Sequence, residues 1–79
     1  MINNLTHMSS IKEIGDLVRQ SRKQAKITQI EAAALSGVGT RFLSELENGK
    51  VTLHIGKVMQ VLKNLGFVVI IKKRQLNEK

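Results

Sequence analysis

Apolar residues recur at helical spacing through most of the chain. Ile14, Leu17, Val18, Ser21 and Ala25 share one stripe, while Lys12, Arg19, Arg22, Lys23 and Lys26 fall outside it. Ser10 with Glu13 forms a capping box ahead of the stripe, its hydroxyl and carboxylate satisfying donors that a first helical turn leaves free, so a helix is predicted from there. Thr28 with Glu31 repeats the device. It opens a second helix through Ala32, Ala33 and Ala34, small residues that let neighbours approach. Gly37-Val38-Gly39 interrupts the pattern, because glycine enters the left-handed region without a steric penalty. A third helix is predicted over 40–47 with Leu43 and Leu46 inward, ended by Asn48-Gly49. Thr52 is the predicted cap of a fourth, whose apolar face is Ile55, Val58, Met59, Leu62 and Leu65 and whose stop is Gly66.

Past Gly66 the pattern no longer fits a helix. Phe67-Val68-Val69-Ile70-Ile71 is rich in β-branched residues and runs into Lys72-Lys73-Arg74, so residues 67–74 read as a single β-strand. Residues 1–9 are polar and aperiodic, a flexible N-terminal arm, and 75–79 form a flexible tail. The fold class is therefore all-α: a helix-turn-helix bundle of four main helices over 10–66, plus one C-terminal strand. A lone strand leaves a ladder of N–H and C=O groups unpaired. The same strand of a second copy is the simplest partner, giving a two-stranded antiparallel sheet across a two-fold axis with Phe67, Val68, Val69, Ile70 and Ile71 at a homodimer interface. The alternative partner is the arm around residues 2–6, whose asparagines make a poor strand.

Composition narrows the function. A chain of 79 residues makes one domain with a small core. It has no cysteine, and His7 and His54 are far apart, so neither a disulfide framework nor a metal site is expected. The apolar run at 67–71 is too short to span a bilayer and the N-terminus lacks a signal-peptide layout, so a cytoplasmic protein without a membrane role is expected. No phosphate loop, activated nucleophile, paired carboxylates or metal spacing is present, which argues against an enzyme, a cofactor and a small-molecule substrate. A net charge of +7 points to nucleic acid, an acidic protein or an anionic surface.

Two helices joined by a tight glycine turn, the second of them short, are what a major groove about 12 Å wide admits. The run Ile14-Gly15-Asp16-Leu17-Val18-Arg19, then Arg22-Lys23, Thr28-Gln29, Ala33, Gly37-Val38 and Ser44-Glu45-Leu46-Glu47-Asn48-Gly49-Lys50 resembles the Xre (Cro-type repressor) helix-turn-helix family. Arg41-Phe42-Leu43-Ser44 through Thr52, Gly56-Lys57-Val58, Val61-Leu62 and Leu65-Gly66, followed by a strand, is similar to its HipB-type antitoxin branch. The resemblance covers roughly residues 11–66. It implies that Ala33 is the small residue where the two motif helices touch and that Gly37 makes the turn. Ala32 departs from the leucine usual in the family, which thins the core locally.

The resemblance also implies that Gln29 contacts a phosphate and braces the reading helix; an ordinary surface position is the alternative. Thr40, Arg41, Ser44 and Glu45 fall on the outward face of the third helix because Leu43 and Leu46 are committed inward, and they are the expected base contacts. Arg41 can bind guanine through two parallel bonds. Glu45 can accept from cytosine or orient Arg41, and Thr40 and Ser44 can make shorter contacts. An exposed Arg41–Glu45 ion pair is the competing reading. Gly39, Asn48 and Lys50, at the helix ends, are placed for DNA backbone contacts. Phe42 touches a thymine methyl or packs against a neighbouring helix. Arg22 and Glu47 form a buried structural pair in relatives. Lys72, Lys73 and Arg74 add non-specific attraction at most. The implied function is a dimeric autorepressor of its own operon on palindromic double-stranded DNA that also neutralises a kinase-fold toxin. A free-standing phage- or plasmid-type repressor and a protein-only interaction module are the alternatives.

Overall fold

Capping chemistry sets most of the helix boundaries in the computed structural model, which describes residues 10–73. The expected arm at 1–9, Arg74 and the tail at 75–79 lie outside the described residues. α1 (Ile11–Gln24) starts at Ser10, whose Oγ accepts from the Glu13 amide at 3.2 Å. α2 (Gln29–Ser36) starts with the complete box: Thr28 Oγ1 accepts from the Glu31 amide at 3.1 Å, and Glu31 Oε1 accepts from the Thr28 amide at 2.7 Å. Gly37 ends it in the left-handed region at φ 71°, and the Val38 amide closes back on the Ala33 carbonyl at 3.1 Å. α3 (Thr40–Glu47) follows after three residues, Gly37 to Gly39, and has the predicted bounds.

α4 (Ile55–Asn64) differs from expectation at its start and on its faces. Its cap is His54, not Thr52: the imidazole Nδ1 accepts from the Lys57 amide at 3.2 Å. The helix therefore begins at Ile55, and Val58, Val61 and Leu62 are the residues it buries. Ile55 and Met59, expected inward, are 66% and 40% exposed. The side that packs is the one that brings Gln60 and Asn64 to the end of α2, where both side-chain amides donate to the Ser36 carbonyl, at 2.7 and 3.1 Å. These bonds satisfy a carbonyl that the last turn of α2 leaves open.

The core is Val18 from α1, Ala32 and Ala33 from α2, Leu43 and Leu46 from α3, and Val58, Val61 and Leu62 from α4. Ile14 packs against it, while Ala25 lies exposed at the end of α1 and Ile27 takes the inward place beyond it. α1 approaches α3 closely at Gly15, where an added Cβ would collide with the Leu46 carbonyl oxygen and stand 3.1 and 3.2 Å from the carbonyl carbons of Leu46 and Glu47.

Phe67 is half-buried against the core, and its amide donates to the Leu62 carbonyl at 2.8 Å. From Val68 to Lys73 the chain makes neither a helix nor a ladder, and no strand pairing occurs among the described residues. Val68, Val69, Ile70 and Ile71 stand exposed.

Candidate nucleic-acid interface

α3 has two sharply different sides. Leu43, Leu46 and Glu47 are buried, Thr40 and Arg41 are exposed, and Ser44 and Glu45 are partly so. The spacing that commits the leucines to the core thus leaves the four expected base-reading positions with access to solvent. Phe42 packs half-buried against the core, with the Lys57 Nζ 5.9 Å from its ring centroid. Its packed reading is the one the fold adopts.

The orientation of α3 is fixed by a carboxylate at its end. The Glu47 side chain is 0% exposed and takes a forked pair from Arg22 of α1, Nε to Oε2 at 2.7 Å and Nη2 to Oε1 at 3.1 Å. Gln29, the first residue of α2, donates from Nε2 to Oε1 at 3.0 Å, and Arg19 Nε stands 3.5 Å from the same oxygen. The remaining Arg22 nitrogen, Nη1, donates to the Ile27 carbonyl at 3.1 Å. Burial alone would push the Glu47 carboxyl up, but the bonds from Arg22, Gln29 and Arg19 outweigh it and hold the group below the usual carboxylate range. The Arg22–Glu47 pair is the one the family resemblance implies. The bond from Gln29 is the form its implied bracing of α3 takes, whereas the share of Arg19 had no sign in the sequence, since no local spacing links it to position 47.

The outward charges are also organised. Glu45 Oε2 accepts from Arg41 Nε at 3.3 Å and from Lys50 Nζ at 3.2 Å. Lys50 returns beside α3 because the turn through Asn48 and Gly49 brings its amide to the Glu45 carbonyl at 3.1 Å. The bond from Lys50 is the main reason the Glu45 carboxyl lies below its usual range; desolvation opposes it, and Arg41 adds to it. Sequence spacing had offered Arg41 and Glu45 as a pair but gave no sign of the third member.

Of the expected backbone contacts, Gln29, Asn48 and Lys50 are engaged within the protein. Asn48 Oδ1 accepts from Arg19 Nη2 at 3.1 Å, which leaves its amide group as the donor end. Gly39 caps α3 without a side-chain bond, its backbone is in the ordinary extended region, and nothing lies within 4 Å of an added Cβ. The described residues hold no cluster of metal-ligating side chains and no helix long and apolar enough to cross a membrane.

Known proteins share this arrangement. The helix-turn-helix family profile matches residues 18–68. An uncharacterised HTH-type transcriptional regulator of Sinorhizobium fredii, y4mF, is 54% identical over 54 residues, which cover 68% of this chain and 71% of that one. Among solved structures, a HipA-HipB-O2-O3 complex contains a chain that superposes with a TM-score of 0.78 at 18% identity, covering 90% of this chain and 100% of that one. A HipB-O4 20mer complex gives a TM-score of 0.77 at 18% identity, with 90% and 100% covered. At that identity these two establish the shared fold. The profile and the curated relative reach further: this chain belongs to the helix-turn-helix family of Xre-type transcriptional regulators and has a HipB-like fold.

Proposed function

We propose that the protein represses transcription as a homodimer on a palindromic operator, with α3 of each copy in the major groove of double-stranded DNA. The observation that carries this reading is the division of α3 into a buried side and a side on which Thr40, Arg41, Ser44 and Glu45 reach solvent. Arg41, with 90% of its side chain exposed, has the reach and fork to bind guanine O6 and N7. The first turn of α3 lacks a side-chain cap and Gly39 adds no bulk before it, so its free amides suit a phosphate. Gln29, Asn48 and Lys50 join Gly39 in setting register on the backbone.

Arg41→Ala should cost about 1–3 kcal/mol on the operator and relax discrimination at one base pair of each half-site. Lys50→Ala should weaken operator and random duplex alike and lower the salt slope by about one per subunit. Titration against the operator, its single-base variants and random duplex at several salt concentrations separates the two. If Arg41→Ala lowers affinity for every duplex equally with all base preferences intact, the reading face is wrong.

In this scheme residues 10–66 are the DNA-binding unit and 67–74 the dimerisation strand. The exposed apolar row from Val68 to Ile71, with its main chain unpaired, supports a ladder with a second copy. Such a dimer would hold two reading helices about 34 Å apart, one turn of duplex, or a small multiple of it. Val69→Pro removes a ladder donor and should give a monomer or an unstable chain in sedimentation, as should deletion of 67–73. A truncated protein that remains dimeric with unchanged operator affinity would move the interface to α4, where Ile55 and Met59 also stand exposed.

Autorepression of its own operon and neutralisation of a kinase-fold toxin rest on the family resemblance. A kinase-like reading frame beside this one supports them; phage structural genes there support a free-standing repressor.

A further inference from the structure

One carboxylate oxygen, Glu45 Oε2, holds two of the cations that this face would offer a duplex, Arg41 at 3.3 Å and Lys50 at 3.2 Å. We infer that Glu45 sets the specificity of the α3 face: it stands in for a phosphate, withholding Arg41 from arbitrary duplex and releasing it where the groove presents an exocyclic amino group. The inference rests on the DNA reading proposed above.

In the free protein all three charges are partnered. Docking on arbitrary duplex gives Lys50 a phosphate instead and strips water from Glu45, so that Arg41 becomes the donor its charge depends on beside a negative backbone. Arg41 cannot then leave for a base without stranding a desolvated charge, which is strongly unfavourable. A groove that presents cytosine N4 or adenine N6 restores a donor to the carboxylate while Arg41 moves to guanine O6 and N7. Arg41 and Glu45 are four residues apart, a rise of about 6 Å. Two base-pair steps of about 3.4 Å each exceed that. The amino group therefore lies within two pairs of the guanine. Discrimination comes from the carboxylate as much as from the arginine, because only a matched site frees Arg41 without stranding Glu45.

Glu45→Gln and Asp16→Asn each remove one negative charge from the full-length protein, the second on α1, where Asp16 pairs with Lys12 at 3.7 Å. Each variant and the wild type would be measured in two ways: affinity for random duplex across salt concentrations, and the consensus selected from a pool of randomised duplexes. Glu45→Gln should bind random duplex on the order of tenfold more tightly at low salt. Its salt slope should steepen by about one per subunit. It should select a consensus that keeps the guanine and loses the neighbouring amino-edge preference, whereas Asp16→Asn should keep the wild-type consensus. An unchanged consensus, affinity and slope for Glu45→Gln would reduce Glu45 to an exposed ion pair and overturn the inference while the α3 reading stands. Equal gains in both variants would attribute the effect to net charge and also overturn it. A wild type that selects no consensus and binds independently of salt would remove the DNA reading itself.

Discussion

Glu47→Ala is expected to lose about 3–5 kcal/mol of folding stability, because it strands a partly buried arginine and unties three helices at once. For 79 residues the whole stability is roughly 4–12 kcal/mol, so much of the population unfolds. Urea titration followed by far-ultraviolet circular dichroism at neutral pH checks this. Glu47→Gln should fall between wild type and alanine, since the amide oxygen still accepts from Arg22 but carries no charge. Acid gives a second readout. The folded Glu47 carboxyl titrates below its unfolded value of about 4.3, so its contribution is complete above that pH and drains as pH falls through the folded value. The gap between wild type and Glu47→Gln should therefore narrow in acid; a gap that stays constant from neutral to strongly acid pH would show that the charge contributes nothing.

Gly15→Ala should be nearly as damaging, although alanine ordinarily favours a helix by roughly 1 kcal/mol over glycine. The new methyl meets the Leu46 carbonyl oxygen, which is backbone within α3 and has no rotamer by which to withdraw. α1 must move away from α3, stretching the bonds from Arg22 to Glu47 and thinning the contact around Val18. Overpacking of this kind costs about 1–3 kcal/mol and more where backbone is the obstacle. Thermal melts measure it, and a melting temperature at or above that of wild type would mean that the two helices separate without penalty.

The helix boundaries most legible in the sequence were those written in local chemistry. Thr28 with Glu31 and Gly37 act within one turn, so their spacing carries the signal, and Leu43 with Leu46 oriented α3 correctly for the same reason. α4 was less legible because histidine is an uncommon cap and Thr52 the better one by preference. Starting from Thr52 favoured a face through Ile55 and Met59, when the amides of Gln60 and Asn64 turn Val61 inward. α1 ends without glycine: Lys26 takes the left-handed conformation at φ 60° instead. Gly15 and the Arg19 contact with Glu47 were hidden for a different reason. They answer to contacts between elements distant in the chain, and a helix-period reading sees only one element at a time. On the candidate site, periodicity sorted the outward positions, whereas the sharing of Glu45 between a helix residue and one past its end depends on the path of the Asn48–Gly49 turn.

The bonds that converge on Glu47 also have a mechanical consequence. α3 is pinned at its end to α1 and to the first residue of α2, so its tilt is not a soft coordinate that a ligand can adjust. Stiffness of this kind makes the protein the template and the duplex the compliant body. In the proposed complex, a mismatch between the tilt of α3 and the course of the groove is absorbed by bending or twisting of the DNA. Flexible steps such as TA and CA absorb such strain more easily than A-tracts. Base pairs that no side chain reaches then enter the recognition through their elasticity.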